Sequence, residues 1–558
     1  FFDEPISGVE AQPGAQRFLY ARDVGGSEYY QAYLRDLAGN ETLVTEPGTR
    51  NESFVFSDDG RLVAWARVGR GDPNYDIVVM DPANPSSRRV VHEGTGAISP
   101  VDVSPDGRTL LLQKYVSIAE SHLYLLDLGT GAIRELNAQG EKVAYGGGEF
   151  TPDGRKVVVL TDENSDVMRL MEIDVPGEGK VGLNEDGRWD INNFDLSKDG
   201  RVLAYSVNEE GFSRVVLRDF RTKRALPQPR LPKGVVTGLK FSPDGRKLAI
   251  SMNTPTAAGD VWTWDLQAGR LDRWTYSELG GLDPATLVEP ELIRYRSFDG
   301  LSIPAFVYRP KGPASGKRPV VIQIHGGPES QELPNFNPRR QAWVNELGAV
   351  VITPNVRGSE GYGKKYLSLD NAEKREDSVK DVGALLDWIA TQPDLDPSRV
   401  AVVGQSYGGY MVLAVHAHYA PRLAGVIDLY GISDFETFLK NTEGYRRDLR
   451  RAEYGDERDP KMLEVFRRIA PIRMSQRMTK PMMVFQGAND PRVPKSESDQ
   501  MVAQLRRQGT AVWYVVAADE GHGIQKKSNA EVVRAAEVLF LRRVLGLEGA
   551  TPPAVARR

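Results

Sequence analysis

The sequence predicts an N-terminal β-propeller over residues 1–282, followed over 283–558 by an α/β domain with a mostly parallel sheet. Three observations predict this. A turn element recurs at fixed spacing in the first half. Apolar strands alternate with helical stretches in the second. Within that second half, a G-x-S-x-G sequence stands where a buried strand runs into a helix.

The propeller comes from the repeat. Gln12-Pro13-Gly14, Asp58-Asp59-Gly60, Pro105-Asp106-Gly107, Pro152-Asp153-Gly154, Lys198-Asp199-Gly200 and Pro243-Asp244-Gly245 are spaced by 46, 47, 47, 46 and 45 residues at their glycines. A turn that needs positive φ suits Asp-Gly. Apolar strands follow, such as 61–65, 108–112, 155–159 and 246–250, and then second strands such as 123–127 and 261–265. A period in the forties filled with short strands is a propeller blade. Six repeats are visible. The opening Phe1-Phe2-Asp3-Glu4-Pro5 reads as the tail end of a blade, so seven blades are expected, part of one being lost ahead of Phe1. Glu209-Glu210 could hold a substrate amine, but reads more simply as solvated loop. His92 and His122 read as strand or loop histidines.

In the second half, 291–300 and 301–308 read as a hairpin around an Asp-Gly turn. Strands are predicted at 319–324, 349–353, 400–403, 423–430, 481–486 and 511–516, with an amphipathic helix over 378–391. Such a sheet binds ligands at the carboxyl ends of its strands. At one of those ends lies Gly404-Gln405-Ser406-Tyr407-Gly408. Strand, sharp turn and helix make it the nucleophile elbow of an α/β-hydrolase fold, with Ser406 as nucleophile.

A serine needs a base, and the base an orienting acid, which follow it in that fold in the order acid, then histidine. Only His416, His418 and His522 come after Ser406. The first two are 10 and 12 residues along the nucleophile's own helix, roughly 15 Å away at the helical rise. His522, between two glycines past a strand, is the expected base. Asp490, past the 481–486 strand, is the expected acid, and Asp428 its main rival. The oxyanion donors are expected at the backbone of Tyr407 and at Gly326 or Gly327 in His325-Gly326-Gly327-Pro328, which sequence does not separate. The segment 430–438 offers aromatic walls, with Phe435 and Phe438 as candidate substrate-pocket residues, ordinary core packing being the alternative.

Composition narrows the classes. The net charge of −5 gives no reason to expect nucleic acid or an anionic membrane as partner. No run of 18 apolar residues provides a membrane helix. With no cysteine there are no disulfides, thiol chemistry or cysteine metal sites, and six scattered histidines predict neither metal nor cofactor. Phe1 in place of Met implies a processed or trimmed N-terminus, and the compartment stays unassigned.

These motifs together resemble the prolyl oligopeptidase family of serine peptidases, most of all its acylaminoacyl peptidase and dipeptidyl-aminopeptidase branch. The resemblance runs through 325–328, 355–363, 404–410, 489–494 and 520–522. It implies cleavage of short peptides under a propeller that screens substrates by size, and a homo-oligomer is plausible by the same likeness. It matches Ser406, Asp490 and His522 to the family triad, and Tyr407 and the loop glycines to the oxyanion hole. Arg492 matches an arginine that binds a substrate carbonyl, the alternative being a salt bridge that ties its loop. His325 stands where the dipeptidyl peptidase branch has a tyrosine, and that branch's paired-glutamate motif is not evident. A carboxylesterase on the same machinery, and a dipeptidyl aminopeptidase, are the alternatives.

Overall fold

In the computed structural model, which describes residues 4–137, 142–175, 179–183, 187–313 and 316–548, each Asp-Gly repeat is a tight turn between the first two strands of a sheet. The six repeat glycines have φ between 66° and 70°, a region costly for a side chain with a Cβ. In five of the turns a hydroxyl caps the aspartate: Ser57, Ser104, Thr151, Ser197 and Ser242 donate to Asp59, Asp106, Asp153, Asp199 and Asp244 at 2.6–2.7 Å.

Six antiparallel sheets result, spanning 6–43, 49–93, 97–135, 145–182, 191–219 and 235–273, five of four strands and one of three. Among the described residues there is thus one sheet for each of the six repeats visible in the sequence. Glu4 and Pro5 lead into Ile6–Ala11, which is the first strand of the first sheet; Phe1, Phe2 and Asp3 lie outside the described residues. First strands of the second and third, third and fourth, and fifth and sixth sheets touch one another, lining the centre of the ring. At the turn end of that centre Asp58 of the second sheet pairs with Lys198 of the fifth.

The second half builds one eight-stranded sheet: β1 (Glu291–Arg296), β2 (Ser302–Tyr308), β3 (Arg318–Ile324), β4 (Val350–Pro354), β5 (Leu395–Gln405), β6 (Gly425–Leu429), β7 (Met482–Gly487) and β8 (Val512–Ala517), in the order β1-β2-β4-β3-β5-β6-β7-β8. β1 and β2 pair antiparallel and β2 joins β4 antiparallel; the other pairings are parallel. β5 shows why its sequence reads as continuously apolar. Val400 and Val402 enter the core on one face, Ala401 and Val403 the core on the other. Full burial of each valine contributes roughly 2 kcal/mol. The helices Arg375–Thr391 and Tyr407–Tyr419 cover the first face, and Pro338–Leu347 and Lys527–Val544 the second.

The propeller seats on the carboxyl ends of these strands. Asn489 Nδ2 donates to the Gly25 carbonyl at 2.8 Å, Lys364 Nζ meets Asp162 at 3.0 Å, Asn208 donates to Gln331 at 2.7 Å, and the Phe336 amide donates to Asn253 at 3.0 Å. These contacts come from the first, fourth, fifth and sixth sheets, so the propeller rims the site on several sides.

Candidate active site

β5 ends at Gln405, and Ser406 turns the chain into the helix Tyr407–Tyr419 with φ 57° and ψ −119°. Strain of this kind persists only where surrounding structure enforces it. Here the enforcement is close packing. A Cβ on Gly404 would lie 2.2 Å from the Gly408 carbonyl oxygen, and one on Gly408 2.4 Å from that of Ile324. The Ser406 amide is fixed by the Leu429 carbonyl at 2.9 Å.

Three loops from the ends of β5, β7 and β8 bring the predicted partners together. Ser406 Oγ lies 3.0 Å from His522 Nε2, and His522 Nδ1 lies 2.8 Å from Asp490 Oδ2. The other Asp490 oxygen accepts the amides of Arg492 and Val493 at 2.8 and 2.9 Å, which holds the buried carboxyl in place and aims it. His416 and His418 stand elsewhere. His416 is buried, accepts the Lys480 amide at 3.1 Å and has its pKa pushed down to about 4 by burial. His418 pairs with Glu376. Asp428, the rival acid, is buried against Gly409 and Gly431, and burial pushes its pKa up to about 7.

Beside the nucleophile, Tyr407 opens its helix, so its amide is one of the first-turn donors without a helical acceptor. Gly326 runs so close that a Cβ on it would sit 3.4 Å from the Ser406 Cβ. His325 folds back on the loop, its Nδ1 2.7 Å from the Gly326 carbonyl and its Nε2 2.9 Å from Ser359 Oγ. Burial lowers the His325 pKa, so this ring is neutral. The Gly327 carbonyl accepts from Tyr454 Oη at 3.1 Å and Arg450 Nη1 at 3.4 Å.

Arg492 pairs through Nε with Glu28 of the first sheet's loop and borders a cavity of about 180 Å³ that also reaches His522, Asp23 and Tyr30. A larger cavity of about 610 Å³ opens from Ser330 and Gln331, just past the glycine loop, towards Tyr115, Asp190 and Glu360. Phe435 and Phe438 are 0% and 3% exposed, and Phe435 stacks among Tyr410, Tyr454 and Phe466 at 4.7, 4.9 and 5.6 Å. They form the aromatic core under the site. Glu209 and Glu210 pair with Arg214 and Arg294. Glu28 and Gly26, from the propeller, gave no signal in the sequence. The Tyr430 ring, at the start of the aromatic 430–438 segment, packs 4.7 Å from the His522 ring.

A serine, histidine and aspartate in hydrogen-bonded series on the carboxyl ends of an α/β-hydrolase sheet, roofed by a propeller, define a serine hydrolase class. Comparison narrows the class. Residues 334–548 match the prolyl oligopeptidase family model. The chain is 26% identical over 560 residues to dipeptidyl aminopeptidase BIII of Pseudoxanthomonas mexicana, covering 95% of this chain and 78% of that one. It is 33% identical over 238 residues to dipeptidyl peptidase family member 6 of Caenorhabditis elegans, covering 42% of this chain and 32% of that one. A crystal structure of puromycin hydrolase superposes with a TM-score of 0.83 at 19% identity, covering 99% and 96% of the two chains. Prolyl oligopeptidase B from Galerina marginata superposes with 0.85 at 17%, covering 98% and 80%. Residues 334–548 are a prolyl oligopeptidase family domain, the domain of a serine-type peptidase.

Proposed function

We propose that the protein hydrolyses short peptides through an acyl-enzyme, with an acylaminoacyl-peptidase-like or related oligopeptidase activity. The observation that carries the mechanism is the chain from Ser406 Oγ through His522 to Asp490 at 3.0 and 2.8 Å. Ser406 Oγ attacks the scissile carbonyl carbon while His522 Nε2 takes its proton. Asp490 holds Nδ1–H and stabilises the imidazolium. The carbonyl oxygen becomes an oxyanion that accepts from the amides of Tyr407 and of Gly327, whose neighbouring carbonyls are tied away by His325 and Tyr454. His522 returns the proton to the departing amine as the C–N bond breaks. Water then repeats the sequence: His522 takes its proton, hydroxide adds to the ester carbon, and Ser406 leaves with that proton. Arg492, with Glu28 behind it, clamps a substrate carbonyl.

The propeller's contacts around the rim and the Asp58–Lys198 pair across its centre support a size limit that admits short peptides. Release of dipeptides is the second reading, supported by the name of the Pseudoxanthomonas relative, which aligns over 95% of this chain.

The test is hydrolysis of acetylated single residues, free-amine dipeptides, a blocked Gly-Pro and an internally quenched peptide by wild type and Ser406→Ala. Preference for acetylated apolar residues supports the first reading, and preference for free-amine dipeptides the second. Ser406→Ala is expected to lose roughly 10⁶ in kcat; turnover that survives it removes the mechanism.

A further inference from the structure

Beneath the elbow lies a buried ionic cluster that the mechanism above does not use. Asp370, Arg375 and Glu453 are 0%, 1% and 2% exposed. Arg375 Nη1 donates to Asp370 Oδ2 at 2.6 Å, and Arg375 Nη2 donates to the Glu453 carbonyl at 3.2 Å and lies 3.7 Å from Glu453 Oε1. Arg450 Nη1 donates to Glu453 Oε2 at 2.6 Å. Arg375 also sits over the rings of Tyr407 and Tyr454, at 5.3 and 4.9 Å from their centroids.

The two ends of this cluster terminate on the two halves of the proposed oxyanion hole. At one end Asp370 Oδ2 accepts from Tyr407 Oη at 2.9 Å, and Ser378 Oγ meets the same hydroxyl at 2.8 Å. This fixes the residue whose amide follows the nucleophile. At the other end Arg450 Nη1 and Tyr454 Oη both donate to the Gly327 carbonyl. Glu329, two residues past Gly327, lies near the Glu453 carboxyl. Burial holds both of these carboxyls above their ordinary range.

A buried ion cluster is a poor way to gain stability, because apolar side chains of the same volume do as well or better. What it supplies is direction. An oxyanion hole depends on donors fixed before the charge develops, and these bonds restrain both donor segments from one rigid body.

We infer that Asp370, Arg375, Glu453, Arg450 and Tyr454 are positioning residues that hold Tyr407 and Gly327 in register as a single unit, and so set the oxyanion hole. The inference rests on the proposed roles of those two amides. Tyr407→Phe and Tyr454→Phe each delete one hydroxyl and keep the ring. The readouts are kcat, KM, inhibition by a peptide aldehyde, whose hemiacetal oxygen occupies the oxyanion position, and inhibition by the corresponding carboxylate product, which forms no tetrahedral adduct.

Each variant is expected to lose about five- to tenfold in kcat, the worth of one neutral hydrogen bond. The aldehyde should weaken by the same factor, with KM and product inhibition within about twofold. The double variant should lose less than the product of the single losses, as members of one network do. Unchanged kcat and aldehyde affinity, a loss confined to KM, or losses that multiply fully would each overturn the inference. If a phenylalanine variant fails to fold, Arg450→Lys, which withdraws the guanidinium from Gly327 but keeps the charge beside Glu453, reads the same quantities with the same outcomes. A wild-type enzyme indifferent to the aldehyde, or turnover by Ser406→Ala, would instead sink the reading of the site and this inference with it.

Discussion

In the propeller, carboxylates at the seams between sheets repeat with the blades, Asp195 buried and Asp102 and Glu149 half-buried. Asp102, Glu149 and Asp195 hold equivalent places on the first strands of the third, fourth and fifth sheets, and each accepts an amide of the next sheet: Phe150 at 2.7 Å, Leu196 at 3.1 Å and Phe241 at 2.6 Å. Val55 occupies that place in the second sheet and Lys240 in the sixth, where Lys240 turns back to Asp195 at 2.7 Å. In the α/β domain the buried charges do not repeat. Asp370, Arg375 and the helix Gly444–Tyr454, which carries both Arg450 and Glu453, are separate elements that converge once, under the elbow. The contrast is between a chain of nearest-neighbour joints, whose contributions add, and one cluster on which several loops depend together. A change in a propeller seam should stay local, whereas a change near the convergence should reach the chemistry.

The largest test of that contrast is at the site itself. Asp490→Asn should cut kcat by about 10⁴, by presenting an amide where His522 needs a carboxylate, with little change in melting temperature. Near-normal turnover would mean that another acid orients the histidine. The next test is at the joint between the two halves. Gly26, with φ 75°, lies so close to the histidine loop that a Cβ would meet the Gly521 amide nitrogen at 2.0 Å. Gly26→Ala should lower kcat/KM more than tenfold while a propeller core substitution of equal thermal cost does not, compared at matched melting temperature. An active Gly26→Ala would show that the propeller's seat and the position of His522 are independent.

The smallest effect is expected inside a seam. Burial, with Asp195 nearby, pushes the Glu149 carboxyl up to about 8. In the unfolded chain it titrates near 4.5. Between these values the folded state keeps a proton that the unfolded state has lost, so stability falls as pH rises through that window. Glu149→Gln should flatten this part of the unfolding free energy against pH, measured by urea titration from pH 5 to 9, and leave kcat unchanged. A wild-type curve that is already flat would mean that Lys240 keeps the carboxylate ionised.

Much of the site was legible because its parts are signalled locally. Ser406 is marked by glycines within two residues on either side, His522 by a glycine on each side, and Asp490 by the end of a strand. What supports them has no such mark. Glu28 meets Arg492 across 464 residues of chain, and Arg450 meets Gly327 across 123. Phe435 and Phe438 show the opposite case, where the sequence left pocket wall and core packing both open. Their place after β6 suggested a pocket, but Tyr410, Tyr454 and Phe466 close over Phe435, and those partners come from three other segments.

The sequence by itself determined the repeating turns, the two-sided apolar strands and the order of nucleophile, acid and base. Each of these follows from local rules: positive φ needs glycine, a strand buried on both faces needs an unbroken apolar run, and a tight elbow excludes Cβ atoms. Only the tertiary structure decided which aromatic rings are core and where the buried charges find partners. Those outcomes depend on desolvation and on hydrogen bonds between distant segments. The energy of a charge taken out of water is set by what folding places beside it, and that neighbour is not written next to it in the chain.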